Sequence, residues 1–80
     1  FYATWCAPCK KLKPIVQEIE TSYQGKLNVL YIDIDQHKSL ADWLQIRNIP
    51  LLMLFKQGKQ VANIEGLTDK KQIIETFQLK

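Results

Sequence analysis

Trp5-Cys6-Ala7-Pro8-Cys9-Lys10 decides how the rest of this sequence is read. It holds the only two cysteines in 80 residues, two positions apart. The apolar run Phe1-Tyr2-Ala3 leads into it and a long helical pattern follows. A strand that ends at Cys6 and turns at once into a helix sets the first sulfur over the helix N-terminus. Unpaired N–H groups and the helix dipole favour negative charge there. A thiolate is such a charge, so this context lowers the pKa of a thiol at Cys6 and makes it the attacking sulfur. Lys10, one turn on, adds positive charge. Cys9 lies within the first turn, near enough to close a small disulfide with Cys6. Pro8 suits that turn, where a missing N–H costs nothing. Trp5 supplies a flat apolar cover for the sulfurs. Cys6 is expected to be exposed and Cys9 shielded.

Three chemistries compete for the pair. One is dithiol–disulfide exchange, in which Cys6 attacks and Cys9 resolves. Another is half a zinc site, but structural zinc takes four ligands. His37 is the only strong ligand left, so no metal is expected. The last is an inert structural disulfide, but a loop this small restrains little chain entropy.

Working outward, Leu12, Ile15, Val16, Ile19 and Tyr23 recur at helical spacing, predicting a helix from Ala7 to about Tyr23. Pro14 should kink it, and Gly25 should cap its end. Upstream, Phe1 to Thr4 reads as the end of a buried strand. Leu27 to Asp33 is nearly all apolar, as in a strand covered on both faces of a parallel sheet. The long helix between these strands is then the right-handed crossover. Asp35 to Leu44 reads as a short helix with Leu40, Trp43 and Leu44 inward and Asp35 or Ser39 as cap. Leu51 to Phe55 is a further apolar strand. Gln57-Gly58 signals a hairpin, and Val61 to Glu65 returns as an edge strand until Gly66. Thr68 caps a last helix that turns Ile73, Ile74 and Phe77 inward.

Composition bounds the alternatives. Residues 1–80 make one domain, 46% hydrophobic, which argues against disorder. No apolar run approaches the ~20 residues of a membrane span. Net charge is +3, from 11 Lys+Arg against 8 Asp+Glu. Apart from Lys10, Lys11 and Lys13 the basic residues are dispersed. No basic stripe interleaves with aromatics, so nucleic acid is not an expected partner.

Trp5-Cys6-Ala7-Pro8-Cys9-Lys10 resembles the redox motif of the thioredoxin family, usually Trp-Cys-Gly-Pro-Cys-Lys. Tyr23-Gln24-Gly25-Lys26-Leu27, Asp33-Ile34-Asp35-Gln36, Ile46-Arg47-Asn48-Ile49-Pro50 and Leu54-Phe55-Lys56-Gln57-Gly58 resemble further segments of that family, in the same order. The resemblance covers essentially the whole chain. It implies an α/β three-layer sandwich, a mixed central sheet with helices on both faces. It also implies a thiol–disulfide oxidoreductase that reduces protein disulfides through Cys6 and Cys9, supported by Trp5, Ala7, Pro8 and Lys10. The redox-active disulfide Cys6–Cys9 would serve with no separate cofactor. Disulfide-containing client proteins and a thioredoxin-reductase-type electron donor are the implied partners. Pro50 would be cis, and Trp5, Ile49, Pro50 and Gly66 would form an apolar substrate groove, with the Ile49 backbone pairing a client strand. The alternative is a non-catalytic thioredoxin-like binding module.

Several positions depart from the family pattern. Ala7 replaces the usual glycine, Leu51 a threonine and Tyr2 a tryptophan. Tyr31 stands where a lysine is frequent, and the family's buried aspartate falls just before Phe1. Without that pair, deprotonation of Cys9 and the resolving step should be slow. Oxidising relatives tend to carry histidine between the cysteines, so Ala7-Pro8 reads as reducing. The family also has a further strand, a helix and most of the central strand ahead of Phe1. The sequence therefore reads as part of a longer chain or a shortened variant of the fold. A monomer is expected, with a risk of self-association at an apolar edge formed by Leu27 to Asp33. The implied compartment is the cytoplasm, or the periplasm or an organelle if a leader precedes Phe1.

Overall fold

A computed structural model describes residues 1–80. It contains helix α1 (Ala7–Ser22), helix α2 (Lys38–Trp43), strands β1 (Leu51–Lys56) and β2 (Lys59–Glu65), and helix α3 (Lys70–Phe77). The order of helices and the hairpin follow the sequence pattern. The two earlier strands are much reduced, and three details of packing and capping differ.

Helix α1 carries the core. Leu12 and Ile19 are buried on one face, and Ile15, Val16 and Tyr23 pack beside them. These meet Leu54 of β1 and Ile73 and Phe77 of α3 in one apolar cluster. Across the same helix pair, Lys70 Nζ reaches Glu18 Oε1 at 3.1 Å and Ser22 Oγ at 3.3 Å. Pro14 lies inside the helix, which continues through it. Gly25 does take a positive φ of 82°, but the helix already ends at its C-cap Tyr23. The amides of Lys26 and Leu27 both return to the Tyr23 carbonyl.

The hairpin matches its sequence signal. Gln57 and Gly58 both have positive φ, 53° and 78°, as a two-residue turn whose twist suits right-handed strands requires. Strands β1 and β2 pair antiparallel from Leu51↔Glu65 to Lys56↔Lys59. The register slips by one residue between Leu54↔Ala62 and Phe55↔Gln60, leaving Val61 as a bulge.

The predicted strands at Phe1–Thr4 and Leu27–Asp33 shrink to short contacts. Tyr2 and Asp33 form a single parallel bridge, through Tyr2 N–H to the Ile32 carbonyl and Ile34 N–H to the Tyr2 carbonyl. On its other side, Phe1 exchanges both backbone hydrogen bonds with Leu51, an antiparallel pair. The segment thus has a parallel neighbour on one side and an antiparallel one on the other. A turn at Thr4–Trp5 ends it early. Leu27 to Asp33 is not covered on both faces. The amides of Asn28 to Tyr31 donate to no backbone carbonyl, and Leu30 is 81% exposed.

Helix α2 is later and shorter than Asp35–Leu44. The Asp33 carboxylate accepts the Asp35 amide at 2.8 Å, and the Gln36 and His37 amides fold back to the Asp33 carbonyl. That local turn occupies Asp35–His37 and delays the helix. His37 becomes its N-cap without a side-chain bond, so neither Asp35 nor Ser39 caps it. The buried face differs as well. Ala41 is buried, whereas Trp43 is 80% and Leu40 37% exposed, against the expectation that both turn inward. Helix α3 is capped by Asp69, not Thr68: Asp69 Oδ1 accepts the Gln72 amide at 2.8 Å.

Candidate active site

The site forms where Phe1–Ala3 turns into α1. Cys6 is the N-cap of the helix, with extended backbone at φ −90° and ψ 107°. Its Sγ accepts the Cys9 amide at 3.2 Å, so a sulfur takes the place of the oxygen that usually serves an N-cap. Its carbonyl accepts the Lys10 amide at 3.2 Å, the first full turn of the helix. Pro8 lies within that turn, which contains no acidic residue. A negative charge on Cys6 therefore meets the Cys9 N–H and the positive end of the helix dipole, with no competing carboxylate in the first turn.

Cys6 and Cys9 are bonded to each other, their Cα atoms 5.3 Å apart. Both are only 5% exposed, so exposure does not separate them as expected. What separates them is the helix: Cys6 caps it and Cys9 is inside it. With Ala3 they form a small buried cluster, and Tyr2, Ile34 and Ile49 pack against it.

The other predicted residues divide into walls and surface. Ile49 lies against the cysteine cluster, and the Ile49–Pro50 bond is cis, as the resemblance implies. Neither the amide nor the carbonyl of Ile49 takes part in a hydrogen bond. Pro50 is buried, and its carbonyl accepts the Gly66 amide at 2.8 Å. Gly66 has φ +85°, a conformation that a side chain strains. Trp5 is 66% exposed and its indole Nε1 donates to Asp35 Oδ2 at 2.8 Å. Ala7, Pro8 and Lys10 are exposed.

Sequence reasoning missed Asp33 and Asp35 as parts of this site. Both lie in a segment of family resemblance, but nothing in the local pattern ties either to Trp5, thirty residues away. Tyr31, which stands where the family often has lysine, donates its hydroxyl to Glu20 Oε1 at 3.0 Å. Burial, then the Glu20 hydrogen bond and charge, push its pKa up to about 12.

The chain was compared with known proteins. The thioredoxin family model matches residues 1–78. This chain belongs to the thioredoxin family. The thioredoxin of Staphylococcus saprophyticus is 37% identical over 78 residues, 98% of this chain and 75% of that relative. A thioredoxin-like protein of Synechocystis is 38% identical over 79 residues, 99% of this chain and 75% of its own length. Among solved structures, the germline-specific thioredoxin Deadhead of Drosophila melanogaster superposes with a TM-score of 0.89 at 31% identity, covering 100% of this chain and 76% of its own. A thioredoxin of Nicotiana alata gives 0.85 at 30% identity, covering 95% and 68%. The fold is therefore thioredoxin-like α/β. Thioredoxins are thiol–disulfide oxidoreductases, and the bonded Cys6–Cys9 pair gives this chain the couple that activity uses. In general they need no cofactor, and their partners are disulfide-containing substrates and a reductase. No helix of this chain is long and apolar enough to cross a membrane.

Proposed function

We propose that this chain, acting as one domain, reduces disulfides of client proteins, with Cys6 as attacking and Cys9 as resolving sulfur. The observation that carries the assignment is the position of Cys6 as the N-cap of α1, its Sγ accepting the Cys9 amide. The dithiol form starts the cycle. The Cys6 thiolate attacks one sulfur of a client disulfide, and the other client sulfur leaves as a thiolate that takes up a proton. Cys9, after losing its proton, attacks Cys6 Sγ in the mixed disulfide and displaces the second client thiol. Two electrons and two protons pass to the client and the Cys6–Cys9 bond is closed. A reductase of the thioredoxin-reductase type returns the dithiol.

The groove residues fit the presentation of an extended client. The free amide and carbonyl of Ile49 are available to pair with its main chain. Trp5, Pro50 and Gly66 supply the walls. Ala7 lengthens the side chain at a position where the family usually has none, and with Pro8 it favours the reducing direction. Lys10 adds positive charge one turn from the sulfur. The cytoplasm, where thiols are kept reduced, suits a reductase of this type.

Trapping tests the roles. Cys9→Ser, expressed in cells and isolated without reductant, should carry client proteins as mixed disulfides on Cys6. Cys6→Ser should carry far fewer. Equal trapping by the two variants, or preferential trapping on Cys9, would reverse or remove the assignment.

A further inference from the structure

We propose that Lys13 is a positioning residue for the resolving step: its ammonium group steadies the Cys9 thiolate across a cavity that the two residues share. The inference rests on the protein-disulfide reductase reading above and names the group that lets its buried sulfur ionise.

The resolving step needs Cys9 to lose a proton. Cys9 is only 5% exposed, inside the first turn of α1. Burial penalises the charged form, so the thiol is favoured over the thiolate in such a place. A cavity of about 260 Å³ lies beside Cys9, walled mainly by apolar side chains such as Leu12, Val16, Val29 and Leu51. No carboxylate lines it, so it offers Cys9 no carboxylate base. Its only charged side chains are Lys10 and Lys13.

Helical spacing chooses between these two. Residues four apart on an α-helix stack on one face, with Cβ atoms roughly 5–6 Å apart. Successive residues point about 100° apart around the axis. Cys9, Lys10 and Lys13 all belong to α1, so Lys13 lies over Cys9 while Lys10 is turned aside. Lys13 is also unpaired, because the single salt bridge of the molecule joins Lys70 to Glu18. The other polar groups of the cavity are committed or neutral. The Tyr31 hydroxyl donates to Glu20 Oε1 at 3.0 Å, and the Phe1 amino group donates to the Leu51 carbonyl at 2.8 Å. Tyr2 and Thr4 complete the polar lining.

In the mixed disulfide, Cys9 gives its proton to water and becomes a thiolate with the Lys13 ammonium on its cavity side. The thiolate attacks Cys6 Sγ and the bond from Cys6 to the client sulfur breaks. That sulfur leaves as a thiolate and takes up a proton. Lys13 keeps its own protons throughout. It lowers the cost of charge on Cys9 and is not the base.

The test mixes the pre-reduced full chain with an equal amount of dithiobis-nitrobenzoate in a stopped-flow spectrometer. The first thionitrobenzoate released reports attack by Cys6, at a rate that depends on concentration. The second reports resolution by Cys9, at a rate that does not. Lys13→Gln should raise the pH midpoint of the second phase by roughly 0.5–1 unit, the effect of one nearby cation weakened by solvent. Below that midpoint the second release should be about three- to tenfold slower. The midpoint of the first phase should stay in place. Lys13→Arg should restore the parent profile. Lys11→Gln removes an equal charge outside the cavity and should leave the second midpoint unmoved. A second midpoint unmoved by Lys13→Gln overturns the proposal, even where the rate falls, because a packing defect slows release at every pH alike. An equal shift in Lys11→Gln also overturns it, by marking a diffuse effect of net charge. Failure of the unsubstituted protein to reduce insulin would instead defeat the reductase reading, with the effect of Lys13 on Cys9 still measurable in the second phase.

Discussion

The two ends of α1 are built on opposite plans. At its first turn there is no acidic residue, the cap is a sulfur, and the cluster around it has only Ala3, Cys6 and Cys9 fully buried. Toward its last turns Ile19 enters the five-residue core with Leu12, Leu54, Ile73 and Phe77. Glu18 and Ser22 meet Lys70, and Glu20 meets Tyr31. One end leaves its N–H groups for a reacting sulfur, while the other fastens the helix to the rest of the molecule. Chemistry and stability are therefore separable along a single 16-residue element. Substitutions at one end should alter rates, and those at the other should alter unfolding.

The separation is tested most severely at Cys6. Cys6→Ser should lower insulin reduction to the rate of dithiothreitol alone, measured by turbidity. Its urea midpoint should be compared with that of the reduced parent, so that the disulfide does not enter the comparison. A large stability loss on that scale would show that the sulfur also holds the fold. The opposite case is Ile19→Ala, which removes a side chain only 2% exposed. It should cost about 2–5 kcal/mol in urea unfolding, with alkylation of Cys6 in the surviving native protein unchanged. A changed Cys6 reactivity would mean that packing at the far end reaches the first turn.

Asp69→Ala should cost about 1 kcal/mol by removing the α3 cap, with insulin kinetics unaffected. Thr68→Ala should have little effect, and the reverse ranking would restore Thr68 as the cap. The smallest effect belongs to Tyr31. Its pKa is raised from 10.0 to about 12, so the folded state favours the protonated phenol. The resulting stability is fully present below pH 10 and is lost as pH rises toward about 12. Tyr31→Phe should flatten the fall in stability across that window. An identical pH profile for the two proteins would remove Tyr31 from the stabilising end.

Periodic and local signals were legible without coordinates. Leu12 and Ile19 at helical spacing, Gln57-Gly58 between apolar runs and Cys6-x-x-Cys9 ahead of a helix each sit where the pattern puts them. Signals that depend on competition were not. Thr68 and Asp69 are both good caps, and which one reaches the first free amide is decided by the approach of the chain. The Asp33 carboxylate takes the Asp35 amide, a turn fills Asp35–His37 ahead of α2, and Trp43 faces outward; a hydrophobicity pattern contains no such competition. Leu27 to Asp33 reads as a doubly covered strand because apolar residues imply cover, but they do not supply the neighbour that provides it. Half of the site was legible as well. The cysteines announce themselves by spacing, whereas the tie from Trp5 to Asp35 joins residues far apart in the chain and has no local signature.

The extra residue at Val61 has a consequence for how these molecules meet one another. Strand β2 is the outer strand of the hairpin, and an outer strand invites a foreign one to continue the ladder. Here the run of rungs from Leu51↔Glu65 to Leu54↔Ala62 is interrupted before Phe55↔Gln60. An incoming strand would have to break step at the same place and follow the added twist. Polymerisation along this side is thereby denied an uninterrupted template, and a peptide or reporter attached at Gln57–Gly58 would sit beyond the break, outside any stack that began at Glu65.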